Sequence, residues 1–533
     1  MSYYKDLRQH LEALEERGKL VRIKNPINKD TELHPLVRLQ FRGLPEEEWK
    51  AFLFENVTDS KGRNYDIPVA VGAIGASREI YAMGMMCKPD EIMDKWTEAQ
   101  RHPIEPVMVS SGPVQEVVYS GDSLLERGGL DEFPIPISTP GYDIAPYFTS
   151  PYWVTKDPET GVRNVGTYRA QLKSPTRTGM YPSKPEQHVA IHWRKCRELG
   201  IPMEGAIIVG ATPNIGYVSV SRVATGVDEF SVAGGIAGEP VELVKCKTVD
   251  LEVPAHAEIV VEGIISTTEV EPEAPFGEAL GYMGHREMTP YFTVTCITHR
   301  KTPIWQSFIS QLAPCESSII KGLAWENNVF KYLRYDLNMT HVIQVANHAS
   351  NLSQRMLVVQ MQKVAPEEVV RTLEAAADYV PAQGKILIAV DEDINPRDAN
   401  MVNWAITYRS QPHRDFVIQK MPAADFMDYS SVPPGEAMKR DTRFEQMPEQ
   451  SRVLINATLK WAYPPISLPT REFMENALRL WKEKKLPQLK LKEPWYGYSL
   501  GYWTEEDEEQ ALMATNGEYY KTGEIIAKKR RHI

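Results

Sequence analysis

Between residues 131 and 310 the chain breaks into short β-rich pieces separated by Gly and Pro, and this texture limits the possible folds more than any other feature. NVGTYRAQL (164–172), HVAIHW (188–193), AIIVGA (206–211), YVSVS (217–221), AEIVVEGII (257–265) and YFTVTCITH (291–299) each read as a strand. Strands this short, interrupted this often, predict a barrel or a sandwich. The Pro-rich run DEFPIPISTPGYDIAP (131–146) reads as the linker into it.

The flanks read differently. Leu7, Leu11 and Leu14 recur at helical spacing, Gly18 supplies a stop, and KLVRI follows as a strand. DIPVAVGAIG (66–75) and a helix over 89–101 complete this first portion. Beyond 320, helical patterns (NNVFKYLRY, APEEVVRTLEAAADYV) surround the strand GKILIAVDED (384–393), followed by a helix over 396–409 and the strand DFVIQK, an α/β texture. LPTREFMENALRLWKEKK predicts an amphipathic helix whose apolar stripe docks on a domain or on a second subunit, and the basic end AKKRRHI reads as a solvated terminus. A chain of 533 residues exceeds what one core supports, so two or three domains are expected.

The net charge of −11 argues against nucleic acid or an anionic membrane as the main partner. No apolar run reaches the length of a membrane span, and the N-terminus, charged from residue 5, has no secretory signal. The five cysteines are scattered without a CxxC pair, which disfavours structural zinc and disulfides and fits a cytoplasmic protein. Cys315 reads as a buried free thiol rather than a nucleophile.

The usual dinucleotide, P-loop, HExxH and GxSxG signatures are missing. The stretch EVEPEAPFGEALGYMG (269–284) instead sets Glu273 and Glu278 either side of an Ala-Pro-Phe-Gly turn, where Pro272 and Pro275 forbid helix. Asn164 and Arg169 share one strand-like segment, and simple alternation would send them to opposite faces unless a bulge or bend intervenes. His188 and His192 would share a strand face, where the plain alternative is a pair of core hydrogen bonds, and Glu229 could equally be a carboxylate at a helix start. Asn164, His188 and Glu229 together offer an amide oxygen, an imidazole and a carboxylate, a set suited to octahedral Mn²⁺ or Mg²⁺ shared with the phosphate of a cofactor. Arg169 with Glu273 and Glu278 forms a second group: the guanidinium can take a substrate carboxylate, one glutamate can hold the fork, and the other can move a proton. Paired carboxylates alone would also suit a hydrolase, and spacing leaves that alternative open.

The motifs E-x-P-F-G-E-x-x-G-Y (Glu273 to Tyr282), N-V-G-T-Y-R (164–169), Q-H (187–188) and D-E-F-x-x-A-G (228–234) resemble, in this order, those of the UbiD family of reversible decarboxylases that use prenylated FMN. KTVDLEVPAHAEIVVEGII (247–265) and KILIAVDEDINPRDANMVNWAITYR (385–409) agree, and the resemblance runs from about residue 5 to 490. It implies an α+β fold: an N-terminal α/β portion (1–130), a split β-barrel of flavin-reductase type that binds the cofactor (131–315), a C-terminal α/β oligomerisation domain (316–490) and a tail (491–533). It also implies a divalent ion (Mn²⁺ or Mg²⁺) on Asn164, His188 and Glu229, K⁺ near the main chain of 218–221, Gln187 beside the isoalloxazine and Lys385 on the phosphate. Arg169, Glu273 and Glu278 become the catalytic group: Glu273 orients Arg169, Arg169 holds the carboxylate, and Glu278 delivers the proton that replaces CO2. The family's reaction is non-oxidative C–C cleavage through a covalent cofactor–substrate adduct. The implied substrate is an aromatic or α,β-unsaturated acid. The alternative is an aromatic acyl-CoA thioester such as an ortho-carboxylated aroyl-CoA of phthaloyl-CoA type. Further expectations are a flavin prenyltransferase as cofactor supplier, a homo-oligomer (dimer or hexamer), and pocket residues drawn from 313–320 and the PPGEAM loop (433–438).

Overall fold

Most of the short strands between 147 and 299 join in one antiparallel sheet. The computed structural model describes residues 2–532 apart from 183–185, 224–225, 274, 349–354, 380–383, 422–427 and 432–449, so the 433–438 loop lies outside the described residues. The strand order is Arg163–Thr167, Tyr152–Lys156, Met203–Val209, Ile259–Glu273, Glu287–His299, Arg177–Gly179, Ala170–Ser174 and Tyr147–Phe148, with Val117–Ser120 added beside Glu287–His299. Ile259–Glu273 and Glu287–His299 are the longest, at 15 and 13 residues, and form the spine. Residues 259–263 are all buried, Glu262 included, whose carboxylate accepts Lys247 N and Thr248 N, so this stretch shows no alternation of apolar and polar faces.

One connection shows how this sheet closes. Arg163–Thr167 and Ala170–Ser174 stand near opposite ends of the strand order, yet only Tyr168 and Arg169 join them. Three residue steps span at most about 11 Å. The sheet must therefore curl until its ends nearly meet, as an open barrel, with Asn164 and Arg169 on either side of the gap.

Two of the expected strands are helices. HVAIHW (188–193) opens the helix His188–Glu198, and YVSVS (217–221) falls mostly within the helix Pro213–Val220. In the first, Val189, His192 and Cys196 are buried at helical spacing, a pattern that emerges only when the window runs on through RKCRE. In the second, Pro213 sits at the first helical position and every residue from 213 to 219 is buried. A run buried on all sides carries no periodicity to tell strand from helix.

The flanks follow the expected textures. In the N-terminal helix Leu7–Glu16, Asp6 caps Gln9 N at 3.0 Å, and Leu7, Leu11 and Leu14 are buried. It precedes a four-stranded sheet of Leu20–Ile23, Ala51–Phe54, Val69–Val71 and Trp305–Ser307. The C-terminal region carries a five-stranded sheet ordered Val342–Ala346, Met356–Met361, Ile386–Asp391, Ser451–Ala457, Phe416–Lys420, whose three central strands are parallel. The largely buried helix Glu316–Lys331 runs between the two regions. Helix Arg471–Glu483 is strongly amphipathic, yet none of its residues is buried on its own chain. No helix among the described residues is long and apolar enough to cross a membrane.

Candidate active site

At the gap of the curled sheet lies a cavity of ≈ 300 Å³. Asn164, Arg169, Gln187, His188, Glu229 and Glu278 all line it, although they are scattered over more than a hundred residues of sequence.

Glu229 is positioned by its helix. Asp228 caps Glu229–Ala237 by accepting Phe230 N at 2.9 Å, and Arg163 Nε in turn donates to Asp228 at 2.8 Å. Glu229 thus occupies the first helical position, as one reading of its sequence suggested, and its Oε2 accepts Val165 N at 2.9 Å from the strand that carries Asn164. Burial pushes its pKa above the ordinary carboxylate value, against the pull of His188 and Val165 N. His188 Nδ1 stands 3.7 Å from Glu229 Oε1, too far for a good hydrogen bond. Asn164 is 3 % exposed, and its Nδ2 has no hydrogen-bond partner among the described residues. A buried acid, an imidazole held just out of its reach and a buried amide form a donor set that suits a hard divalent cation. Of 218–221, where potassium was expected, Ser219 to Ser221 share the cavity wall and Val218 does not, and Ser219 Oγ is 2.8 Å from Thr167 Oγ1.

The second group is an ion-paired triad. Arg169 Nε donates to Glu273 Oε1 at 3.3 Å, and its Nη1 donates to Glu278 Oε1. Its guanidinium lies over the Tyr181 ring, 3.7 Å from the centroid, with the Phe276 ring at 5.4 Å. Burial works against this charge, but Glu278, Tyr181 and Glu273 outweigh it and push the Arg169 pKa up. Nη2 is buried and has no hydrogen-bond partner among the described residues, which leaves one arm of the fork for an incoming anion. Glu273, at the end of the strand Ile259–Glu273, is fully buried behind the guanidinium and does not line the cavity.

Glu278 sits on a compact turn. Glu278 N donates to Tyr282 O at 3.0 Å, Gly284 N donates to Phe276 O at 2.8 Å, and Gly281 takes a left-handed φ of 98°. Asp143, in the linker, accepts the Thr139 N–H at 2.6 Å and sets its carboxylate close to the main chain of Gly277 in this turn. Burial pushes the Asp143 carboxyl up to about 6. Sequence reading passed over Asp143 and Tyr181, because neither belongs to a recognisable local pattern.

Gly179 sets the space behind the triad. A Cβ there would stand 2.0 Å from Glu273 Oε2. Gly179→Ala is therefore expected to push Glu273 off Arg169 and lower activity without removing any charged group, which steady-state rates on the purified variant will show. Wild-type rates in that variant would remove Glu273 from its orienting role.

Lys385, an expected site residue, falls outside the cavity lining, and the stretch 313–320 contributes to it in part. Lys385 Nζ is 2.9 Å from Asp428 Oδ2 and 2.7 Å from Ser430 Oγ, and the residue does not line the cavity. Of 313–320, Ser317 and Ile320 reach the lining, while Cys315 is buried with its Sγ 3.2 Å from Gln311 O.

Three family models, described as the N-terminal, Rift-related and C-terminal domains of 3-octaprenyl-4-hydroxybenzoate carboxy-lyase (UbiD), match residues 11–100, 106–312 and 323–457. A protein of Archaeoglobus fulgidus, described only as uncharacterised, is 31% identical over 86% of this chain and 92% of its own. Among solved structures, an evolved dimeric form of the UbiD-class enzyme HmfF from Pelotomaculum thermopropionicum, in complex with prFMN, superposes with a TM-score of 0.75 at 29% identity, covering 89% of this chain and 100% of that one. The vanillic acid decarboxylase of Sedimentibacter hydroxybenzoicus, in its closed form, gives a TM-score of 0.76 at 25% identity, covering 90% and 100%.

Proposed function

Since the chain belongs to the UbiD family of carboxy-lyases, we propose that it is a prenylated-FMN-dependent decarboxylase/carboxylase of an aromatic or α,β-unsaturated acid. The observation that carries this reading is the buried Arg169, ion-paired to both Glu273 and Glu278 on the wall of a cavity that Asn164, His188 and Glu229 also line. A hydrolase would need the two carboxylates but not the guanidinium between them.

In this reading Asn164, His188 and Glu229 would hold a divalent ion, Mn²⁺ or Mg²⁺, the main chain of 218–221 would hold K⁺, and Gln187 would contact the prenylated FMN. When bound, the prenylated flavin supplies the electron sink for the pair released as CO2 leaves. The chain's own residues do the rest. The free arm of Arg169 takes the substrate carboxylate, and Glu273 fixes the plane of the fork. The rings of Tyr181, Phe276 and Phe308, with Leu280 and Ile320, give the cavity apolar surface for a flat acid and exclude water from it. Glu278 gives its proton to the carbon that has lost CO2 and takes one back from solvent before the next turnover. Glutamate rather than aspartate at 278 favours acids without an activating hydroxyl. Assembly as a homo-oligomer belongs to the same reading, since the apolar stripe of Arg471–Glu483 finds no cover on its own chain. So does supply of the cofactor by a flavin prenyltransferase.

Holoenzyme incubated in deuterated water with a panel of aromatic and cinnamate-like acids and their CoA thioesters tests the substrate class. We expect deuterium at the decarboxylated carbon of free acids. Turnover confined to thioesters would move the assignment to the acyl-CoA alternative.

A further inference from the structure

Arg169 is held by its edge and by its face. Glu273 and Glu278 take the edge, and the face lies over the Tyr181 ring, 3.7 Å from its centroid. Tyr181 is buried, and its hydroxyl donates to Glu287 Oε1 at 3.2 Å. His285 Nε2 stands 3.0 Å from the same oxygen, and the side chains of His285 and Glu287 are each only 11% exposed. Tyr181 and His285 thus meet on one carboxylate at the rim of the ring that carries the guanidinium.

The sheet accounts for this second hold. Glu273 and Glu287 stand directly opposite each other on the antiparallel strands Ile259–Glu273 and Glu287–His299, so their side chains share one face. Like charges placed in this way repel, and each carboxylate is tied to its own partner: Glu273 to Arg169 Nε, Glu287 to the Tyr181 hydroxyl. One cross-strand pair therefore fixes the guanidinium twice, Glu273 directly and Glu287 through the ring. A phenol that donates to a carboxylate also carries more electron density on its ring, which strengthens the attraction of the ring for the cation. His285 ties the same carboxylate to the neighbouring turn. It directly follows Gly284, whose N donates to Phe276 O and closes the turn of Glu278. Its Nδ1 is 3.3 Å from Tyr429 Oη, which donates to Met283 O at 3.2 Å.

We propose that Glu287 is a positioning residue of this site: through the Tyr181 hydroxyl it sets the ring that fixes the plane of the Arg169 fork on the substrate carboxylate. This rests on the role given to Arg169 above.

Steady-state kinetics of the holoenzyme on the best substrate of the panel test it, with the unfolding midpoint followed in parallel. Tyr181→Phe keeps the ring and Glu287→Ala removes the acceptor. Each should lower kcat/KM roughly 10-fold, the worth of one hydrogen bond to a charged group, chiefly through a higher KM. The double variant should lose no more than either single one, and Glu287→Gln, which leaves an oxygen for the hydroxyl, should recover part of the loss. Losses that multiply in the double variant would overturn the proposal, because Glu287 would then act by another route. So would wild-type kcat/KM in Tyr181→Phe or Glu287→Ala, or a fall in kcat alone. Equal losses in Glu287→Gln and Glu287→Ala with a lowered unfolding midpoint would mark a purely structural role and overturn it as well. If Arg169→Met keeps wild-type kcat/KM, the reading of Arg169 falls and the proposal with it; if Arg169→Met is inactive while Tyr181→Phe is indifferent, only the role of Glu287 falls.

Discussion

Glu278→Gln is expected to lower turnover by roughly 10²- to 10⁴-fold, the range that a positioned proton donor contributes, while flavin binding persists. The substitution keeps the shape of the side chain and its contact with Arg169 Nη1, so the pocket stays assembled. What it removes is the transferable proton. Glu278 is well placed to supply that proton, since its side chain is 15% exposed and so faces the cavity while it can still be recharged from outside. The turn Phe276–Gly284, closed by main-chain hydrogen bonds with the Asp143 carboxylate close to Gly277, keeps it from swinging away. Undiminished rates in Glu278→Gln would remove the proton role from this residue.

Arg169→Met should cost both activity and stability. The guanidinium is buried, and its removal leaves Glu273, whose side chain is fully buried, without the cation that offsets its charge. Breaking a buried pair in this way destabilises by about 3–5 kcal/mol. The carboxylate of the substrate also loses its clamp, so activity falls with it. The double variant Arg169→Met/Glu273→Gln separates the two effects, because neutralising the stranded carboxylate should restore most of the unfolding midpoint and none of the activity. Recovered activity in the double variant would show that Arg169 only balances charge. An unchanged midpoint in Arg169→Met would show that the pair is not held in solution as it is in the structure.

The sequence displayed the group of Arg169, Glu273 and Glu278 better than the scaffold around it. Glu273 and Glu278 stood out because prolines and glycines forced an irregular loop between them, and the structure brings both to Arg169 as expected. That Asn164 and Arg169 share one cavity needed a bend, and alternation along a strand could not supply it. The answer was topological: the chain leaves one end of the open barrel and enters the other within two residues. Local patterns carry no trace of that. His188 lines the cavity, but from a helix and not the expected strand, because a six-residue window hid the helical spacing of Val189, His192 and Cys196. Asp143 and Tyr181 were missed for a common reason. Each meets the group through what it faces across the fold, and neither has a neighbour in sequence that announces it.

Whether this cavity holds a prenylated flavin for decarboxylation can be read directly from the cofactor itself. Absorption and mass spectra would be recorded on the cofactor released from the full chain after co-production with a flavin prenyltransferase. We expect a bound flavin whose mass exceeds that of FMN by the prenyl-derived ring, and decarboxylation only in its presence. Unmodified FMN alone, or no flavin at all, in a protein that still decarboxylates would contradict the assignment.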